Sequence, residues 1–483
     1  MKTMKMTWIT AVVLLAGLAI PVRLIAQDHP EAQAQTGSHP RFIVKDVGTF
    51  TDGQSRATLT TYAQIVNSRG MFVGQEDTSI PDPYYPNFSG FIFPISDPLV
   101  QHGFVWNNGL LTDLGALPNG QGSGALWINE KGEIAGVSEN GLIDPLLGTP
   151  EVRAVVWRGG QIVDLGTLGG NESLANSIND YGQIAGFAAN TILDPFSLAG
   201  FGTQTRAVLW ENGVARELGT LGGNNSLAFA VNNRGQVIGM SYTNSIPNST
   251  TGIPTTDPFL WENGKMVDLG SLGGTFGAPN FINQIGQIVG QMNLAGDLSG
   301  HPFLWDRGSL KDLGTLGGDN GEANWVNDSG EVVGGADYPG GALHHAFLWK
   351  QGVMKDLGVV ADDKCSSAFS INSKGQIVGD SGMCGVQVHA FLWENGTMID
   401  LNTLIPPGVQ LFVAYYINDL GEIACEGYVP GEEHSIHDFL LIPAQEGTAA
   451  DQSAVTEQGP GSTKQPVLRK PHDHRAPSRG PIQ

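Results

Sequence analysis

The stretch DLGTLGGNESLANSINDYGQIAG at 164–186 returns as ELGTLGGNNSLAFAVNNRGQVIG at 217–239 and as DLGTLGGDNGEANWVNDSGEVVG at 312–334. A repeat of this kind constrains a chain more than its composition does. Every copy must build the same unit, and one unit alone cannot bury its apolar faces. Trp106, Trp157, Trp210, Trp261, Trp305, Trp349 and Trp393 mark steps of 51, 53 and 51 and then three of 44. A step of that length with four short strands is the spacing of a β-propeller blade. Glycine, at 67 of 483 residues, is about double its usual share, which suits a turn-rich β protein.

Four segments recur in each unit. The first is apolar and ends on Trp, as in Phe303-Leu304-Trp305; the second ends in Asp-Leu-Gly, as at Asp312-Leu313-Gly314. The third closes on Val-Asn or Ile-Asn, as at Val326-Asn327, and the fourth is bounded by glycines, as in Gly375-Gln376-Ile377-Val378-Gly379. Asn108-Gly109, Asn212-Gly213, Asn263-Gly264 and Asn395-Gly396 join the first two segments, a pair that supplies positive φ cheaply in a two-residue hairpin turn. Between the third and fourth, Asn67, Asn129, Asn179, Asn232, Asn283, Asn327, Asn372 and Asn418 each stand three residues before a Gly, so their side chains are expected to cap type I turns. A residue present in every unit reads as structural, not catalytic.

The second segment starts the series, at Val44 to Gly48, and a first segment without Trp ends it, at Phe439 to Ile442. This offset predicts an all-β fold, a closed β-propeller of eight four-stranded blades, with seven as the alternative, in which N- and C-terminal strands complete one blade. Closure removes two exposed sheet edges. An open solenoid would need polar caps, and the two ends complement each other instead.

Loops alternate between two faces of such a ring. Tight Asn turns share one; the Leu-Gly-Gly loops share the other with the connections from segment four to segment one. Those connections are long in the first four units and short afterwards, which places the insertions over one half of one face. They carry Tyr84, Tyr85, Phe88, Phe91 and Phe93 and repeated Asp-Pro steps, and these five aromatics are the candidate ligand-binding residues, since function in repeat folds sits on variable loops over a rigid frame.

His389-Ala390-Phe391-Leu392-Trp393 with Met398 to Leu401, and Asp164 to Gly170 with Ile178-Asn179 and Gly182-Gln183-Ile184, resemble the HAF repeats of exported bacterial proteins over about residues 42–442. The resemblance implies a propeller-like extracellular protein with no assigned activity. Asn402 replaces the Gly after Leu401, Cys425 replaces a strand Gly, and Arg153, Arg206 and Asp257 stand where the family has His.

The recurring His102, His301, His345, His389 and His437 are expected to hydrogen-bond a neighbouring loop, because one residue per blade does not converge on a metal; His344-His345 is only an adjacent pair. The acidic and amide loop at 317–322 has oxygens suited to calcium but no EF-hand or nonapeptide pattern, so no cofactor is expected and calcium stays open. The chain has no Gly-x-Ser-x-Gly, His-Glu-x-x-His or P-loop motif. Carboxylate pairs assembled from distant loops leave no such signature. Cys365 and Cys384 fall on one predicted face and form a disulfide candidate; Cys425 is expected to be a lone buried thiol.

Residues 1–26 read as a signal peptide, with Lys2 and Lys5 before an apolar run and Ala26 at its end. Residues 27–40 read as a linker, 41–443 as the propeller and 444–483 as a disordered basic tail rich in Pro, Gly and Gln. Losing Lys2, Lys5 and Arg23 takes the formal charge from −22 to −25, which excludes nucleic acid as a partner. The sequence thus predicts a secreted or periplasmic monomer without an integral membrane anchor. Its expected function is a non-catalytic scaffold that binds a glycan or protein through the long loops. The alternative is a propeller enzyme acting on extracellular polysaccharide, and whether any activity exists stays open.

Overall fold

The computed structural model describes residues 41–51, 57–85, 98–431 and 435–444. The expected signal peptide, the linker, Phe88, Phe91, Phe93 and the tail after Ala444 lie outside the described residues. Among those described, the chain is all-β, with one short 3-10 turn at Leu401–Thr403. Six antiparallel sheets hold four strands each, and a seventh holds eight, as two four-stranded sets joined through a single parallel bridge between Thr256 and Phe276.

Within a sheet the strands follow chain order from inside to outside, except that Phe42–Asp46 is the outermost strand of the last sheet. Ser123–Ile128, the third segment of its unit, is almost wholly buried, whereas Gln161–Asp164, the last strand of the same sheet, is largely exposed. Apolar side chains on both faces suit the first position, and one wet face suits the second. Phe104, Phe259, Phe303, Phe347, Phe391 and Phe439 occupy equivalent places in the first segment and are fully buried. On the outer rim, Arg216 lies over Trp261 at 4.8 Å, Lys311 over Trp349 at 5.0 Å and Lys355 over Trp393 at 4.8 Å, so each cation covers the indole of the following unit.

The chain ends meet in one sheet. Phe42–Asp46 runs antiparallel to His437–Pro443, in register from Phe42 with Pro443 to Asp46 with Phe439. The Asn turns explain how neighbouring sheets keep their places. Asn283 accepts the N–H groups of Ile285 and Gln287 through Oδ1, at 3.2 and 2.8 Å, which is the expected cap. Its Nδ2 donates to the carbonyl of Asn327, 3.0 Å away in the next sheet. The same bond runs from Asn67 to Asn129, Asn179, Asn232, Asn283, Asn327, Asn372 and Asn418 at 2.9–3.1 Å, and from Asn418 back to Asn67 at 3.4 Å. Eight local caps are therefore also a circuit of inter-sheet bonds.

Around the axis, inner strands carry a β-bulge at one shared level, between residues 125/127, 175/177, 228/230, 279/281, 323/325, 368/370 and 414/416. The extra residue is directed by its own chemistry. Asn176, Asn280 and Asn324 donate to carbonyls of the following inner strand at 2.8–3.0 Å. Aromatic groups fill the same region, with Phe281 stacked on Trp325 at 3.6 Å and Trp325 edge-on to Tyr416 at 5.6 Å.

Candidate functional site

The loop-rich face is built from extended hairpins. In the first three sheets the strands Phe72–Pro81, Ile134–Ile143 and Ile184–Leu193 reach ten residues each and carry the connections away from the ring. Of the five aromatics expected to bind ligand, Tyr84 and Tyr85 are described: the Asp82 carboxylate accepts the Tyr84 N–H at 2.8 Å, and the Tyr85 ring is half exposed. The described tips are otherwise aliphatic, with Leu142, Leu146, Leu193, Ile246 and Leu298 exposed. Carboxylates of the Asp-Pro steps turn inward. Asp144 caps Leu146 and Leu147 and is bonded by Asn171, while Asp194 caps Phe196 and accepts from Asn225 at 2.9 Å. These acids hold loops in shape.

A different place departs from the repeat. The first inner strand is regular only over Ala57–Thr58, and the chain then turns through Thr61 and Tyr62, whose φ of +57° is left-handed in a residue with a bulky side chain. Strain of this sort persists where surroundings impose it, and functional sites are where it collects. The turn brings Tyr62 across the axis to Glu322, its hydroxyl donating to Glu322 Oε1 at 3.4 Å. Both line a cavity with a water-accessible volume of about 40 Å3, together with Thr60, Thr61, Asn176 and Gln291. At roughly 10–15 Å3 per water on that measure, it holds a few waters or one small group, not a sugar ring.

Burial pushes the Glu322 carboxyl above its usual range, offset by the His344 charge and the Tyr62 hydroxyl. Burial and the adjacent Glu322 charge push the Tyr62 phenol well up, so it remains a neutral donor. His344 is held by Asp337, with Nδ1 2.9 Å from Oδ1, and Asp337 is bonded by Asn320 at 3.2 Å. The 317–322 loop, read from sequence as a set of calcium oxygens, is thus divided: Asn320 accepts from Gly300 N and donates to Asp337, and Glu322 faces the axis. Among the described residues no group of three or more His, Cys, Asp and Glu side chains is placed to hold a metal ion.

The recurring histidines take two kinds of partner. His102, His301, His345 and His437 pair with Asp113, Asp312, Asp356 and Asp46, each the carboxylate of the adjacent outer strand; His102 also reaches the Gln121 carbonyl of the neighbouring loop at 2.6 Å, as expected, and His389 takes Asp363 of a loop. The same carboxylates cap the following Gly, as Asp312 does for Gly314 at 2.8 Å. Where His gives way to Arg206, the pair becomes Arg206 with Glu217 at 3.0 Å. Cys365 and Cys384 are disulfide-bonded, and Cys425 is a buried free thiol. Cys425 stands where other units have a strand Gly, and its sheet carries a second register shift, between Leu411 and Val413.

No family model matches the chain, and no curated protein does. Among solved structures it is similar to the β-propeller domain of the Trilobed protease from Pyrococcus furiosus, at 11% identity and TM-score 0.39, covering 74% of this chain and 97% of that one. A puromycin-hydrolyzing peptidase of Mycobacterium tuberculosis matches at 12% identity and TM-score 0.41, over 79% of this chain and 60% of that one. Porphyromonas gingivalis dipeptidyl peptidase 4 matches at 10% and 0.42, over 75% and 56%. The chain therefore spans little more than half the length of the last two. The expectation of a non-catalytic glycan- or protein-binding scaffold is corrected by the peptidases among these matches, which also include a gluconolactonase and TolB; the likeness itself extends to the β-propeller fold alone.

Proposed function

We propose that this chain is a closed propeller of eight four-stranded blades, akin to exported HAF-repeat proteins, and that it is a hydrolase acting on an extracytoplasmic polysaccharide from the axial cavity. The strand offset, the pairing of Phe42–Asp46 with His437–Pro443 and the Asn circuit support the architecture. The leader-like residues 1–26 support export. One observation carries the chemistry: Tyr62, held in a strained turn, donates to a half-buried Glu322 at a cavity too small for a sugar ring.

The size of that cavity selects a small substituent as the reacting group, and a short acyl ester fits. Glu322 takes a proton from a water, whose oxygen bonds to the ester carbonyl carbon. Tyr62, kept neutral, donates to the oxygen that becomes negative. The carbon–alkoxide bond then breaks, and Glu322 returns its proton to the departing sugar hydroxyl. A carboxyl raised by burial is suited to both halves of this exchange at neutral pH. The excess of acidic over basic residues, a formal charge of −22, favours a neutral glycan over an anionic one.

Incubation of the mature protein with acetylated xylan, followed by NMR for free acetate, tests the reading. Release that is lost in Tyr62→Phe and in Glu322→Gln is expected. A peptide library run in parallel covers the chemistry named for the structural neighbours. Turnover that survives both substitutions would remove the axial site from the reaction.

A further inference from the structure

The residues around Glu322 break the repeat in more places than Glu322 itself. Equivalent inner-strand positions hold Gly124, Leu174, Leu227, Ala278 and Ser367, none of them acidic. Directly opposite Glu322 in the register is Gly335, where the other units carry Gln75, Val137, Phe187, Met240, Gln291, Asp380 or Glu426. The reason is steric: a Cβ on Gly335 would come within 2.0 Å of His344 Nε2. Gly335 is what lets the imidazole lie over the strand that faces Glu322. His344 is also surplus to the repeat, because its neighbour His345 already makes the bond to Asp356 that the recurring histidines make.

We infer that His344 is a positioning residue for the axial site, holding its imidazole beside Glu322 to set whether that carboxyl carries a proton. The inference rests on the hydrolase reading for its consequence and on geometry for its content. Asp337 Oδ1 at 2.9 Å from Nδ1 fixes the tautomer with the proton on Nδ1, which leaves Nε2 as the atom turned toward Gly335 and Glu322. The His344 backbone N–H donates to Cys365 Sγ at 3.3 Å, and the bridge from Cys365 to Cys384 ties that contact to the next sheet. The titratable groups facing the imidazole and Glu322 are Asp337 on the same hairpin, Tyr62 from the first sheet, and His345 with Tyr338 and Asp356 on the outer side. The imidazole turned toward Glu322 favours its carboxylate form, so the proton passes between Glu322 and substrate under control of a group that touches neither.

Selective carboxyl-13C labelling of glutamate in the mature protein, with Glu322→Gln to assign the signal, follows Glu322 through pH. His344→Gln is expected to move its midpoint upward, and His345→Gln to leave it unchanged. Gly335→Ala, which displaces the imidazole without removing any charge, should reproduce the His344→Gln shift; Asp337→Asn should move the midpoint the same way and serves if His344→Gln does not fold. An unchanged midpoint in His344→Gln or in Asp337→Asn overturns the inference. On acetylated xylan, the acid limb of the kcat profile should move with that midpoint. If the wild-type protein releases no acetate, the hydrolase reading fails while the NMR titration still decides the role of His344.

Discussion

Glu172 offers a direct measurement of a buried proton. Its side chain is buried at the base of the Asp144-Pro145 loop, accepts the Val152 N–H at 2.7 Å through Oε2, and has Oε1 free of other partners and placed to share a proton with Asp144. Burial, with the Asp144 and Glu151 charges, pushes its carboxyl up to about 8. In the following unit Asn225 occupies the same place and donates to Asp194 through its amide at 2.9 Å, needing no proton to do so. A folded-state value above the unfolded one means that the native protein binds the extra proton between roughly pH 4.5 and 8, so stability falls as pH rises through that window. At 1.36 kcal/mol per unit, the loss reaches about 4 kcal/mol by pH 8 as a ceiling. Glu172→Gln supplies a permanent donor to Asp144 and keeps the acceptor for Val152. Urea unfolding followed by Trp fluorescence at pH 5, 6, 7 and 8 should give similar midpoints for the two proteins at pH 5. The variant should become progressively more stable above pH 6, by about 2 to 4 kcal/mol at pH 8. Parallel pH dependences in the two proteins would refute the shared proton.

Asn283→Ala removes the donor to Asn327 O, the donor to Gln287 Oε1 and two caps, and should cost about 2 to 4 kcal/mol in the same unfolding assay. Two glycines should respond differently for different reasons. Gly239→Ala puts a Cβ 1.9 Å from the Leu227 carbonyl oxygen and should cost about 3 kcal/mol, whereas Gly213→Ala, at φ +77° with open space around it, should cost only about 1 kcal/mol. Thiol titration of the denatured, unreduced protein should find one reactive group, Cys425, and reduction should raise the count to three. Three thiols before reduction would eliminate the bridge.

Local chemistry made the frame legible before any coordinates. Asn-Gly pairs announce positive φ at both turn positions, and Arg307-Gly308 and Gln351-Gly352 adopt the same geometry without Asn, which shows the turn is imposed by the hairpin and merely eased by the residue. The Asn caps were readable for the same reason. Their second role was not, because each amide finds its acceptor 44 to 62 residues away, and from Asn418 back to Asn67 the separation is 351. Three of the histidines take a partner that the repeat hid, because a register pairing places an Asp 11 residues on in the same sheet for His102, His301 and His345.

The axial site was hidden by the strength of the repeat. Tyr62 reads as one variable residue in a degenerate first unit, Glu322 as the end of an acidic loop and His344 as half of an adjacent pair. Each is informative only by comparison with what the other units put in the same place. A ring brings equivalent positions to a common axis, so a departure in one unit faces a departure in another three or four sheets away, as Tyr62 faces Glu322 over a separation of 260 residues. Aligning the units shows Glu322 as the acid among Gly124, Leu174, Leu227, Ala278 and Ser367, and Gly335 as the glycine at a position that elsewhere carries a side chain. The same comparison explains the sign of the Glu172 experiment: where one unit keeps an amide and its neighbour an acid, the acid must hold its proton to do the amide's work. At Glu322 no amide sets the pattern, and the carboxyl is paired instead with a phenol that keeps its proton and an imidazole held by Asp337.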